Sequence, residues 1–168
     1  MKMNKKEGFP MKQTHTRLLK LAIILISLPV IAAVGIGGYQ LVNHPFNADY
    51  AYLLYPIVGG ICLTVLPFFF ALFKSFQLLI YIDNNQAFQS IAVKALKQIK
   101  RAACTISFLY VIVLPLIFMI AERDDAPGLI LVGMMPVFAS FIVAVFAALL
   151  EKLLAQAIAI KLENDLTV

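Results

Sequence analysis

Few residues in this chain are placed to do chemistry. Asp124 and Asp125 stand side by side ahead of an apolar run, and paired carboxylates can hold a hard cation. Two oxygen donors without supporting ligands make a weak site, and carboxylates just before a helix also suit the positive end of its dipole. Cys62 and Cys104 lie in or at the edge of apolar stretches with no CxxC spacing, and are expected to be small packing residues. His15 and His44 are too far apart in the chain to complete a metal site. Tyr50, Tyr52 and Tyr55 form a cluster that serves either as a ring belt at headgroup level or as an aromatic ligand patch. There is no Walker loop, nucleophile elbow, HExxH pair or spaced carboxylate pair. The expectation is a protein that is not an enzyme, with no catalytic, cofactor-binding or metal residues and no cofactor.

The elements that carry these residues are set by composition and its grouping. Of 168 residues, 62% are hydrophobic and 14% charged, against roughly 45–50% and about 25% in ordinary globular domains. The mean hydropathy is +0.91. The apolar residues gather into four charge-poor spans at about 18–42, 50–73, 102–121 and 128–150. Each is near the ~20 residues that cross ~30 Å of hydrocarbon as a helix. Lipid leaves backbone groups unsatisfied outside helices and closed barrels, and no alternating strand pattern is present. The predicted class is an all-α integral membrane protein, one membrane domain over 1–168, with four transmembrane helices arranged as two hairpins.

Orientation follows from the positive charges. Thirteen of the fourteen Lys and Arg fall in 1–20, in 74–101 or after 150, and Arg123 alone sits in the other connections beside Glu122, Asp124 and Asp125. By the positive-inside rule, segments 1–17, 74–101 and 151–168 are cytosolic, with both termini cytoplasmic, in a bacterial cytoplasmic membrane. The net charge of +5 is accounted for by topology and lipid headgroups, so no direct nucleic-acid contact is expected. A basic start before an apolar run also resembles a signal peptide. The run to Val42 is longer than a signal core, and Gly35-Ile36-Gly37-Gly38 offers no clear cleavage site, so it is read as a retained first span.

The central segment, 74–101, is the long polar-containing stretch of the interior. Nothing from Lys74 to Ile82 breaks a helix, so the second helix is expected to continue about 50 Å from Tyr50 into the aqueous phase. Asp83-Asn84-Asn85-Gln86 is the predicted turn. Phe88, Ile91, Ala92, Ala95, Leu96 and Ile99 then build one apolar face, with Lys94, Lys97, Lys100 and Arg101 off it. That is a basic amphipathic cytosolic helix feeding the third span. It can pack on the protein's own extensions, lie in the headgroups or dock a partner. The fourth helix also continues past Leu150, with a predicted apolar seam of Leu149, Leu150, Leu153, Leu154, Ala157 and Ile158.

Within the spans the polar residues are Ser27, Thr64, Thr105, Ser107, Tyr110 and Ser140, and none is ionisable. Intramembrane ionisable groups mark substrate paths, so these hydroxyls are read as packing elements, with small residues at Gly60/Thr64 and Ser140/Ala144/Ala148 letting helices approach. Pro29, Pro56, Pro67, Pro115 and Pro136 give every span at least one kink point. The two halves share one plan, and both start on the same side, so a true repeat would be parallel.

Two stretches carry a resemblance: Ile82-Asp83 followed by Phe88, Leu96 and Ile99, and the ending Leu162-Glu163-Asn164-Asp165-Leu166-Thr167-Val168. With four spans of this spacing, the chain resembles the YoaS-like bacterial membrane proteins, domain-of-unknown-function family 2975. The resemblance runs over nearly everything after the first dozen residues. The family pattern has Ser after the Phe, where this chain has Gln89, which puts the helix cap in question. What the resemblance implies is a multi-pass membrane protein with no established activity, a membrane partner of a small helix-turn-helix DNA-binding regulator. Besides the lipid bilayer, such a regulator and further copies of the chain are the expected partners. The candidate cytosolic interaction surface is Asp83, Phe88, Lys94, Lys97, Glu163, Asp165 and Thr167. The second reading is a small transporter, channel subunit or immunity-type membrane protein.

Overall fold

The computed structural model describes residues 11–43, 48–83 and 89–166. These form four helices and, among the described residues, no strand: α1 (Met11–Asn43), α2 (Ala48–Asp83), α3 (Ser90–Arg123) and α4 (Gly128–Leu166). At 1.5 Å per residue they run from about 50 to about 58 Å, well beyond the ~30 Å of a hydrocarbon core. All four are apolar enough to cross a membrane. Leu25, Leu66, Phe108, Leu131 and Phe146 are among the many large apolar side chains left exposed. A soluble monomer does not tolerate such continuous apolar surface, whereas lipid solvates it. The prolines sit inside continuous helices, as expected where neighbouring groups re-satisfy the freed carbonyls.

Packing is sequential. α3 is the spine, with close approaches to α2 on one side and to α4 on the other; α1 closely approaches α2 alone among the described helices. One end of the bundle carries Arg123, Asp124 and Asp125, and is called the acidic end below. The opposite, basic end carries Lys20, Lys74, Lys94, Lys97 and Lys100. The two hairpins share a plan but differ in packing, since α1 lies far more loosely on α2 than α4 does on α3.

Two physical regimes hold α3 in place. Within lipid there is no hydrophobic gain from helix contact, so small residues that allow close approach decide the interface. Gly60 of α2 packs against Val113, Gly133 of α4 packs against Ile117, and Ala102, Ala103, Ala144 and Ala147 are buried. Leu53, Ile57, Val113 and Ile120 form a buried cluster toward the acidic end. Beyond the lipid, water restores the hydrophobic term. There Ala92, Ala95, Leu96 and Ile99 are buried on α3, with Leu79 on α2. Of the three options for the basic helix, the structure has the first: it packs on the protein's own extensions and runs into the third span without a break.

Four expectations change in detail. Ile91, placed on the buried face by periodicity, is 43% exposed at the start of α3. On α4, Leu149, Leu150 and Leu153 are exposed, and the side turned to α3 carries Glu151, Leu154, Ala157 and Ile158. Leucines occur all round this helix, so their periodicity does not choose a face; the alanines upstream do. Ala147, not Ala148, continues the buried line from Ser140 and Ala144. Both cysteines are exposed on lipid-facing surface rather than packed between helices.

At the acidic end, α3 closes with Asp125 in the left-handed region (φ 49°). The Ala126 amide donates to Ala121 O at 2.9 Å, and the Asp124 amide donates to Ile120 O at 3.0 Å, the closure that glycine usually supplies. Tyr50 donates to Asp124 Oδ1 (3.0 Å) and the Arg123 guanidinium lies 5.4 Å from the Tyr52 ring centre. These two tyrosines thus tie the start of α2 to the α3–α4 turn.

Candidate functional site

The first candidate is a cavity of about 620 Å³ bounded by all four helices. Its origin is the packing order. α2 and α4 both lie on α3 without meeting each other, and α1 reaches only α2, so a slot remains between α1 and α4 with α3 behind it. Small side chains at Ala33, Ala71, Ala103 and Ala139 leave the slot unfilled, and Pro29 and Pro136 stand on opposite walls. On α2 the lining runs from Ile61 to Ser75, about 21 Å of helix.

Hydroxyl groups punctuate an otherwise apolar wall: Thr64, Ser75, Tyr110 and Ser140 all line the cavity. Three of them spend their protons on their own helix. Thr64 donates to Ile61 O (2.7 Å), Ser75 to Ala71 O (2.9 Å) and Ser140 to Pro136 O (2.6 Å). Such back-bonding leaves oxygen lone pairs but no free donor. Ser107 reaches across to Val137 O of α4 at 3.4 Å. Thr105 donates to Arg101 O and Ser27 to Ile24 O. Hydroxyls expected only to help packing therefore also line a cavity.

The second candidate is a shallow groove of about 350 Å³ at the basic end, between α3 and α4. Ser90, Val93, Lys94 and Lys97 form one side, and Glu151, Ala155 and Ile158 the other. Lys100 Nζ lies 2.5 Å from Glu151 Oε2 at its inner end. Lys94 and Lys97 stay exposed. Four aliphatic or small residues flanked by two lysines suit an acidic, partly apolar segment of another protein.

Of the residues expected from sequence, Lys94 and Lys97 come together in this groove. Asp83 ends α2 and pairs with Lys20 Nζ at 2.5 Å, which clamps α1 to α2. Glu163 is exposed on α4, about 18 Å along the helix from Glu151. Asp165 lies in the last helical residues, its side chain outside the described residues. Phe88 and Thr167, and the turn from Asn84 to Gln86, lie outside the described residues altogether. Glu151 and Ala155 were missed, and Ile158 was expected only as part of the α4 seam; an acid directly after the fourth span, opposite a chain of lysines, was the available signal. The cavity had no signal of its own, because it depends on which helices fail to touch.

Fold and sites define a multi-pass α-helical membrane protein. The family model described as "Protein of unknown function (DUF2975)" matches residues 44–168. The chain is also 44% identical over 160 residues, covering 94% of its length and 100% of the relative, to a Bacillus subtilis (strain 168) protein named "Uncharacterized membrane protein YoaS". It belongs to this DUF2975 family of membrane proteins. The family model starts at residue 44, after α1, while the Bacillus relative covers nearly all of the chain. No solved structure matches it.

Proposed function

We propose that the protein is a non-enzymatic docking protein of the bacterial cytoplasmic membrane, with both termini in the cytoplasm. Its basic end binds an acidic segment of a small helix-turn-helix regulator. The observation that supports this is the groove between α3 and α4, where Lys94 and Lys97 remain exposed beside Ala155 and Ile158. The layer that carries it is folded, since Ala92, Ala95, Leu96 and Ile99 beneath are buried, so the lysines are held in a fixed spacing. Orientation rests on the distribution of Lys and Arg. The second reading, a transporter, needs a path through the bundle. The buried cluster of Leu53, Ile57, Val113 and Ile120 lies toward the acidic end and weighs against an open one.

Crosslinking in native membranes followed by purification in mild detergent tests the docking reading. A small DNA-binding protein should be captured by the wild type and lost with K94E/K97E, while the folded membrane protein is recovered in equal amount. Equal capture by the charge-reversed variant, or capture of no DNA-binding protein, overturns it. Cysteine accessibility at positions 94 and 130 from the periplasmic side tests the orientation separately.

A further inference from the structure

We propose that the Lys20–Asp83 pair is a charge-operated latch, and that α1 is a movable wall of the slot which swings away from α2 when the pair opens. The device goes beyond the docking reading and does not depend on it. The grip of α1 on the bundle is confined to one end. Among its described side chains, Lys20, Ala22, Ile23, Ser27 and Val30 are half-buried and none is buried. Lys20, Ile23, Ser27 and Val30 follow helical spacing, so they share one face. From Ile31 to Tyr39 every side chain is exposed, and a Cβ added at Gly35, Gly37 or Gly38 would meet nothing within 4 Å. Helix contact gains little in lipid unless small residues let the backbones close up. In α1 such residues, Ala32, Ala33 and the three glycines, lie in the exposed half.

The ion pair holds the end that does make contact. Lys20 Nζ lies 2.5 Å from Asp83 Oδ2 and 6.0 Å from the Phe76 ring centre. The two side chains are 30% and 29% exposed, so water and salt reach the pair. At the acidic end the chain itself joins α1 to α2. α1 is therefore held by a covalent link at one end and by charge at the other, with about 35 Å of helix between Lys20 and Asn43. A tilt of about 15° about the linked end carries Leu25 about 7 Å.

The slot gives this movement a consequence. Pro29, Val30, Ala33 and Val34 of α1 line it, and among the described residues no close approach ties α1 to α4. The closed pair fixes that wall in place, and the open pair frees it, so the width of the slot follows the state of the latch. The control is electrostatic. A second cation at Asp83 or a second acid at Lys20 competes with the pair, and salt weakens it.

The full chain, with Cys62 and Cys104 replaced by Ala, can be spin-labelled at the exposed positions Leu25 of α1 and Leu66 of α2 and reconstituted in lipid nanodiscs. Double electron–electron resonance then reads the distance between the two helices. Lys20→Gln and Asp83→Asn are each expected to raise the population at longer distance about two- to five-fold, the shift that a partly exposed ion pair carries. The double variant should do no more than either single one. Salt at about 0.5 M should raise the same population without any substitution at Lys20 or Asp83, and not in Asp83→Asn. Labels at Phe108 of α3 and Ile142 of α4, both exposed, should keep one distance throughout, which separates release of α1 from loosening of the whole bundle. A distance distribution that neither substitution alters overturns the latch, as does a shift of equal size between α3 and α4. Additive effects of the two substitutions overturn the pairing of Lys20 with Asp83 as its basis.

Discussion

Gly60 of α2 and Val113 of α3 meet with no room for a single methyl group. A Cβ at Gly60 would collide with Val113 Cγ2. The valine is 4% exposed and its branched side chain has little rotamer freedom in a helix, so the backbone would have to move. Gly60→Ala is expected to weaken α2–α3 association by about 1–3 kcal/mol, the usual range for overpacking. Gly60→Ala with Val113→Ala should recover much of the loss, a coupling readable in a double-mutant cycle of unfolding by SDS titration in mixed micelles. Additive losses would mean the two residues do not share this contact.

The Lys100–Glu151 pair joins α3 to α4 where both leave the apolar layer, with side chains 32% and 19% exposed. Partial exposure and screening keep such a pair modest, at about 0.5–1 kcal/mol. K100E and E151K alone should each destabilise the α3–α4 hairpin. Combined, they should restore most of the stability, with the benefit shrinking as salt rises. Thermal unfolding in detergent at low and high ionic strength checks this.

The hairpin plan was legible because lipid imposes span length and because lysine and arginine crowd one side of the bundle. Thr64 and Ser140 were legible as polar residues that bond within the bundle. What was not legible depends on three-dimensional choice among similar surfaces. Leucines ring α4, so their spacing does not show that Leu154 is half-buried and Leu153 exposed; the buried Ala144 and Ala147 upstream mark that face. The apolar residues of α1 read like those of any span, yet its window from Lys20 to Tyr39 buries nothing. The Tyr50–Asp124 bond spans 74 residues of sequence, and no local pattern marks it.

The start of α3 lacks a side-chain cap. Gln89 occupies the N-cap position with extended backbone (φ −116°, ψ 155°) and makes no capping hydrogen bond. Its carbonyl accepts from the Ala92 amide at 3.0 Å, and the Ile91 amide stands at the second helical position, which an N-cap side chain can serve. A serine hydroxyl at this position can accept from that amide, whereas the longer Gln side chain does not do so here. Gln89→Ser is expected to add about 0.5–2 kcal/mol to the stability of the basic layer. Hydrogen exchange should show slower amide exchange over residues 90–96, with the membrane-embedded part of α3 unchanged. Unaltered exchange at 90–96 would show that neighbouring packing, and not the cap, limits fraying there.

Asp125 carries the chain through the left-handed region at the α3–α4 turn, with φ 49°, where most L-residues pay about 1–2 kcal/mol. Asp tolerates this conformation better than branched residues do, because its short polar side chain can bond locally. Its neighbour Asp124 holds Tyr50, so the turn also anchors the start of α2. Asp125→Gly should be neutral or slightly stabilising, since relief of the backbone offsets the extra freedom of the unfolded chain. Asp125→Val should lose about 1–2 kcal/mol of hairpin stability without touching a buried side chain. The contrast between Gly and Val separates a backbone effect from a carboxylate effect, because both remove the charge. Equal losses in the two variants, measured by SDS unfolding, would place the importance of Asp125 in its carboxylate and not in its conformation.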